Sequence, residues 1–331
     1  MEHRGVTLEH VARAAGVSRA TASRAVTGQG PVSASARDRV LAAARALGYV
    51  PDPLARALVA GTGTRLVVAV GGTSAAVLHD PYVARVLAAA AAVGEPAGLG
   101  ASLVHLPLAG SRVLDGLARD RGVAGLVLVN TTHAVLGALP PRLAGRVASI
   151  GTGSAGVAGV DVDTGSGTAA VVEHLLASGR RQVAMVTGPA WLPCTRRAQQ
   201  GYERAVRAAG LAPRLVPGDF TVAAGEEAVR AVLARWPGTD AVHAVSDAPA
   251  LGALRALRAA GRRVPDDVAV SGFDDSAAAG LVEPGLTTAT HPVEEVAAAA
   301  ARTALGLAPA PGALFPSVPV LRGSTGARLA G

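Results

Sequence analysis

Residues 17–24 read Val17-Ser18-Arg19-Ala20-Thr21-Ala22-Ser23-Arg24, and the fold turns on them. Ser18 is a strong helix N-cap because its hydroxyl can accept a backbone N–H from the first turn, and Val17 just before it is placed to pack inward. At helical spacing Ala22 and Val26 continue the buried face, which turns Arg19, Ala20 and Arg24 outward. Toward the N-terminus, Leu8, Val11, Ala12 and Ala15 recur at three- and four-residue steps, and Gly16 breaks that helix. Toward the C-terminus, Gly28, Gly30 and Pro31 end the second helix. Ser33 starts a third, in which Val40, Leu41, Ala44 and Leu47 form an apolar stripe and Gly48 is the stop.

A short helix braced by a first one across a tight turn can present its N-terminal side chains to the major groove of DNA. Arginine suits bidentate contact with guanine, and the Ser and Thr hydroxyls reach phosphates or base edges. Periodicity alone is satisfied equally by a plain three-helix bundle with a solvated arginine face. Charge placement favours a polyanion partner: residues 1–61 carry eight Arg against four Asp/Glu, a balance of +4 within a chain of 331 residues whose total is +7. Every basic side chain except His is Arg. Heavy use of Ala, Arg, Gly and Pro also follows from a GC-rich genome, so the bulk charge by itself is ambiguous.

Pro51-Asp52-Pro53-Leu54-Ala55-Arg56-Ala57-Leu58-Val59-Ala60 is helix-capable, with Asp52 as cap and Pro53 at the first helical position, but too short to be stable alone. Gly61-Thr62-Gly63-Thr64 reads as a linker. From Arg65 the pattern changes to apolar runs alternating with helical stretches. These are Leu66–Val70 then Pro81–Val93, Ser102–Leu106 then Gly110–Arg119, and Gly125–Val129 then Arg146–Ile150. A second series has Val183–Thr187 then Thr195–Ala209, Ala241–Val245 then Ala248–Ala260, and Val268–Gly272, with a late helix at Pro292–Leu305. Such alternation predicts parallel sheets covered on both faces, here two α/β subdomains with a ligand cleft at the strand ends.

The stretch Val6-Thr7-Leu8-x-x-Val11-Ala12-x-x-Ala15-Gly16-Val17-Ser18-x-x-Thr21-x-Ser23-Arg24 resembles the headpiece of the lactose/galactose repressor (LacI/GalR) family. So do Val32-Ser33, Arg37-x-x-Val40, Leu47-Gly48-Tyr49-x-Pro51 and Ala55-x-x-Leu58. The likeness continues through Gly179-Arg180-Arg181-Gln182-Val183-Ala184, Thr187-Gly188-Pro189, Asp247-x-x-Ala250-Leu251-Gly252, Gly272-Phe273-Asp274-Asp275, Leu286-Thr287-Thr288 and Arg322-Gly323-Ser324-Thr325.

The resemblance implies a small all-α helix-turn-helix headpiece (1–50), a hinge helix and linker (51–64), and a periplasmic-binding-protein-like α/β effector and dimerisation domain (65–331) with three crossovers. Its N-subdomain would span about 65–160 and 290–320, and its C-subdomain about 161–289 and 321–331. The implied function is a repressor that binds a pseudopalindromic double-stranded DNA operator as a homodimer under control of a small-molecule effector, a sugar or related metabolite. Arg19 and Ala20 would read bases with Arg24 beside them. Thr7, Ser18, Thr21, Ser23 and Ser33 would position the backbone, and Ala55 and Leu58 would meet the minor groove, Leu58 as a wedge. Asp52 stands where the family usually has Asn, and Ala22 where Val is usual.

The cleft departs further. Asp274, at a strand end, is placed to accept from ligand hydroxyls; a capping Asp in a turn is the alternative. The family's arginine position is Ala198 here, so either Arg196 or Arg197 takes over or the anchor is lost. Ser246 replaces an Asn, and Tyr82 either lines the cleft or packs in the core. His291 either faces the cleft or starts a helix.

Other classes are excluded on residue grounds. Gly151-Thr152-Gly153-Ser154-Ala155-Gly156 spells a nucleotide-type GxGxxG, but a strand-like run follows where a helix is required. Cys194 is the sole cysteine, the His are scattered, and no paired nucleophile and base appears, so no cofactor, metal or catalysis is expected. With no apolar signal region and no membrane-length span, a cytoplasmic, nucleoid-associated protein is expected. With no heptad tail, a dimer is expected over a coiled-coil tetramer, with helix Pro81–Val93 as a candidate surface.

Overall fold

The computed structural model describes residues 6–28, 30–50, 63–109, 111–312 and 314–326. The chain divides into two compact units after Thr64. The hinge residues Ala55 and Leu58 lie outside the described residues.

The first unit holds three helices, α1 (Leu8–Ala15), α2 (Arg19–Thr27) and α3 (Ala34–Ala46). Gly16, at φ 63°, ends α1 in the left-handed conformation that glycine adopts without a Cβ penalty. Val11, Ala12, Ala15, Ala22, Ala25 and Val40 form its buried core. Arg39 Nε donates to the Ala15 carbonyl at 3.2 Å, closing the free end of α1 with a side chain of α3. The predicted α3 stripe is corrected here: Leu41 and Leu47 are exposed, each at 39%, and the buried row is Ala36 and Val40. So small a bundle has room for one row of α3 at four-residue spacing, and neighbouring leucines fall outside it.

The second unit holds two parallel sheets. The first, in order β2-β1-β3-β4-β5, comprises β1 (Arg65–Gly72), β2 (Gly100–Pro107), β3 (Val123–Val129), β4 (Val147–Ile150) and β5 (Ala158–Val160). Period-two alternation divides β1 between two cores. Leu66, Val68 and Val70 face α4 (Pro81–Gly94) and the late helix Val293–Ala304; Val67 and Ala69 face α5 (Ser111–Arg119) and α6 (His133–Gly137). Burying both faces explains why these strands read as continuous apolar runs.

The second sheet, in order β7-β6-β8-β9, comprises β6 (Val183–Val186), β7 (Leu215–Val216), β8 (Ala241–Ala244) and β9 (Ala269–Ser271). One face carries α7 (Thr164–Ala177) and α8 (Pro193–Ala208), the other α9 (Val222–Arg235) and α10 (Asp247–Ala259). Helices α7 and α9 were not legible in the periodicity. Each is rich in Ala, and α7 opens Thr164-Gly165-Ser166-Gly167, a loop-like turn that Asp163 caps through Ser166 N at 2.9 Å. A short α11 (Ala277–Leu281) follows β9. Then β10 (Thr288–Ala289) leads back to α12 (Val293–Ala304) on the first sheet. Strand β11 (Pro319–Val320) pairs antiparallel with β10. The three crossing segments lie side by side, the first joined to the third by the bridge Val162↔Phe315 and the third to the second by the β10–β11 pairing.

Residues 151–156 are followed by a Ser154↔Val157 bridge and then β5, so a strand rather than a helix N-terminus occupies that place.

Candidate functional site

In the headpiece, a three-residue turn, Gly16-Val17-Ser18, separates α1 from α2. Ser18 Oγ accepts from Thr21 N at 3.1 Å and lies 2.9 Å from Thr21 Oγ1, so these two hydroxyls hold each other and the helix start. Ala22 and Ala25 are buried at 0% and 5%, which fixes the rotation of α2 and leaves Arg19, Ala20 and Arg24 exposed on its outer side. Thr7 caps α1, donating its N–H to His10 Nδ1 at 3.3 Å. Ser33 Oγ accepts from Ala36 N at 3.4 Å and caps α3, and Ser23 is partly buried, its carbonyl accepting from Thr27 Oγ1 at 2.8 Å. Thus the outward set is two arginines and an alanine on one helix, with the hydroxyls mostly committed to helix ends.

In the second unit, the polar groups gather where the crossovers meet the strand ends. Asp274 follows β9 with φ 112°, a left-handed backbone that costs about 1–3 kcal/mol for a non-glycine residue and is tolerated where a site dictates it. Its Oδ1 accepts from His291 Nδ1 at 3.0 Å. The His291 ring lies against Tyr82 of α4, centroids 5.3 Å apart, and edge-on to Phe273 at 6.1 Å. Tyr82 therefore touches this group of polar residues while also packing on the core beside the first sheet. Burial, with the charges of Asp161, Asp274 and Asp80, pushes its phenol well above the usual range, so the hydroxyl stays protonated.

Arg197 pairs with Asp161 on the first crossover, while Arg196 is exposed and Ala198 is buried in the core of α8. Asp161 is 6% exposed, and its other oxygen accepts from Val162 N at 2.9 Å. Burial raises its carboxyl above the usual range, and Arg197 opposes that shift. Asp80, capping α4 through Tyr82 N at 2.9 Å, is likewise raised by burial, opposed by that amide hydrogen bond and reinforced by the nearby Asp274 charge. Ser246 is buried at the N-cap of α10, beside Asp247, and makes no side-chain capping bond. Burial pushes the Cys194 thiol up to about 11.

The structure thus brings together Tyr82, Arg197, Asp274 and His291 with, beyond the residues singled out from sequence, Asp80 and Asp161. Asp161 lacked any sequence signal, since it sits in a Val-Asp-Val-Asp run that reads as a strand end. The arrangement offers several carboxylate acceptors, one guanidinium, one phenol and aromatic faces, a set suited to a compact polyhydroxylated molecule.

Residues 7–52 match the model of bacterial regulatory proteins of the lacI family, and residues 172–325 match a periplasmic binding protein-like domain. The HTH-type transcriptional regulator CelR of Thermobifida fusca is 35% identical over 266 residues, covering 75% of this chain and 76% of CelR. Among solved structures, a CelR–cellobiose complex aligns with a TM-score of 0.68 at 31% identity, covering 96% of this chain and 99% of that one. The lac repressor dimer bound to operator and the anti-inducer ONPF aligns at 0.84 with 25% identity, covering 97% and 99%. The chain belongs to the lacI family of bacterial regulatory proteins and is a DNA-binding transcriptional regulator. No helix among the described residues is long and apolar enough to cross a membrane.

Proposed function

We propose that this regulator is a cytoplasmic repressor that binds a pseudopalindromic operator as a homodimer and is controlled by a sugar in the crossover site. The observation that carries the DNA half is the rotation of α2: buried Ala22 and Ala25 leave Arg19, Ala20 and Arg24 free to enter a major groove. Arg19 and Ala20 read base edges with Arg24 beside them. Thr7, Thr21, Ser23 and Ser33 position the backbone, and Ala55 and Leu58 engage the minor groove. Two such headpieces match the two-fold symmetry of an operator. The effector half rests on Tyr82, Arg197 and Asp274 meeting where the subdomains join, and the relative crystallised with cellobiose makes a β-linked glucose disaccharide the first ligand to try. A ligand there biases the angle between subdomains, and a coupling of roughly 1–3 kcal/mol changes operator affinity by roughly 5–150-fold.

The test is fluorescence anisotropy on DNA from the chain's own promoter region at fixed salt, with and without cellobiose. Tight, salt-dependent binding that Arg19→Ala and Leu58→Gly both weaken is the expected result. Binding indifferent to both variants would overturn the DNA assignment, and light scattering that found a monomer at operator-binding concentrations would overturn the dimer.

A further inference from the structure

His291 is the most constrained polar side chain in the crossover site, and it has one valence to spare. Its side chain is 10% exposed. Nδ1 is held by Asp274, and the ring is packed between Tyr82 from α4 and Phe273 from the end of β9. Nε2 is fully buried and has no hydrogen-bond partner among the described residues. The charged groups that face the ring are Asp274 after β9, Asp161 on the first crossover and Glu294 on α12, the last two paired with Arg197 and Arg85.

A carboxylate can only accept, so the proton of a neutral His291 sits on Nδ1. Nε2 is then a bare acceptor, and a buried acceptor without a donor is unfavourable, which folding alone does not explain. The same bond occupies Asp274 Oδ1, so one of the two oxygens expected to receive ligand hydroxyls is already committed.

We propose that His291 is a specificity-determining residue of the effector site. Asp274 holds it in the Nδ1–H tautomer, and Nε2 accepts a hydroxyl hydrogen from a neutral polyol, so that the ligand binds the unprotonated ring. Asp274 acts in part through His291, as its positioning residue. Without that acceptor the ligand hydroxyl loses its partner, and effector affinity should fall by about tenfold. The ligand step rests on the crossover site being the effector site; the tautomer does not.

The experiment uses the full-length protein labelled with ¹⁵N at histidine. Its imidazole resonances at pH 8 are assigned by the signal lost in His291→Gln. The expected result, without any ligand, is a neutral His291 protonated on Nδ1; a ring protonated on Nε2 overturns the proposal. Calorimetry with cellobiose follows on the wild type, His291→Gln and His291→Phe. His291→Gln, whose amide oxygen still accepts, should keep most of the wild-type affinity, whereas His291→Phe, which has no acceptor, should lose about tenfold. Equal affinity of the wild type and His291→Phe also overturns the proposal. If cellobiose binds none of the three proteins, the chosen effector class fails, and the tautomer in the free protein decides the role of His291 by itself.

Discussion

Thr288 on the second crossover donates to Asp247 Oδ1 at 2.6 Å, which ties the start of α10 to the strand returning the chain to the first subdomain. The other oxygen of Asp247 accepts from Ser276 N at 2.7 Å, so one buried carboxyl fastens three segments. Burial, helped by the charge of Asp274, raises that carboxyl to about 7. The raised value means that the folded state binds the proton more tightly than the unfolded chain does. Its contribution to stability is thus fully present at acid pH and is lost as pH climbs from about 4 to 7. Asp247→Asn, which can offer its oxygen to Ser276 N and its amide hydrogens to Thr288, should gain on the wild type by on the order of 2 kcal/mol between pH 5 and pH 8. Urea denaturation of both proteins at the two pH values checks this; a difference independent of pH would refute it.

Arg197 is the sole cation paired with Asp161 among the described residues, and its side chain is 29% exposed. Arg197→Ala leaves a buried carboxylate that can escape only by taking up a proton. A destabilisation of about 1–3 kcal/mol is expected, below the value for a fully buried pair because both solvent and protonation relieve it. Adding Asp161→Asn should recover part of the loss. Thermal melts of the two single variants and the double variant give the coupling directly, and simple additivity would show that the pair is not linked.

Helices α9 and α10 pack at the closest possible distance because two glycines meet backbone. A Cβ on Gly252 would lie 2.0 Å from the Val222 carbonyl oxygen, and one on Gly225 would lie 2.1 Å from that of Pro249. Gly252→Ala should therefore cost roughly 1–3 kcal/mol by forcing the helices apart. Gly116→Ala on exposed α5, where an added Cβ meets nothing within 4 Å, should instead stabilise by roughly 0.5–1 kcal/mol. The sign of the two melting-temperature shifts is the measurement; equal signs would contradict the packing.

On the DNA side, a single bidentate arginine–base contact is worth about 1–3 kcal/mol, so Arg19→Ala should weaken operator binding by roughly 5–150-fold and relax specificity at one base pair of each half-site. Arg13→Ala on α1, away from α2's outer face, serves as a comparison for loss of bulk charge. Anisotropy against single-base operator variants separates the two, since a loss uniform across all variants would mark Arg19 as a phosphate contact.

The helix ends of the headpiece and the faces of its first two helices were legible residue by residue. Gly16, the Ser18 and Ser33 caps, Gly28 and Gly48 act through local backbone chemistry, and the faces of α1 and α2 follow from short-range periodicity. The α/β alternation was legible for a similar reason: strands buried on both faces must be apolar throughout. Where local signals were weak, the reading stopped short. The Ala-rich α7 and α9 carry little contrast between faces, and Leu41 looked buried because periodicity does not count how many rows a small bundle can cover.

The crossover site obeys a different logic. Tyr82, Asp161, Arg197, Asp274 and His291 are spread along the chain, Tyr82 and His291 being as far apart in sequence as the neighbouring Arg85–Glu294 pair, 209 positions, and no spacing rule links them. Residue order settled the class of protein, because helix ends, turns and buried strands are properties of short segments. The pairing of Arg197 with Asp161 and the contact of His291 with Asp274 were decided by three crossing segments brought side by side. There, burial makes every unpaired polar atom costly and so dictates which distant groups must meet.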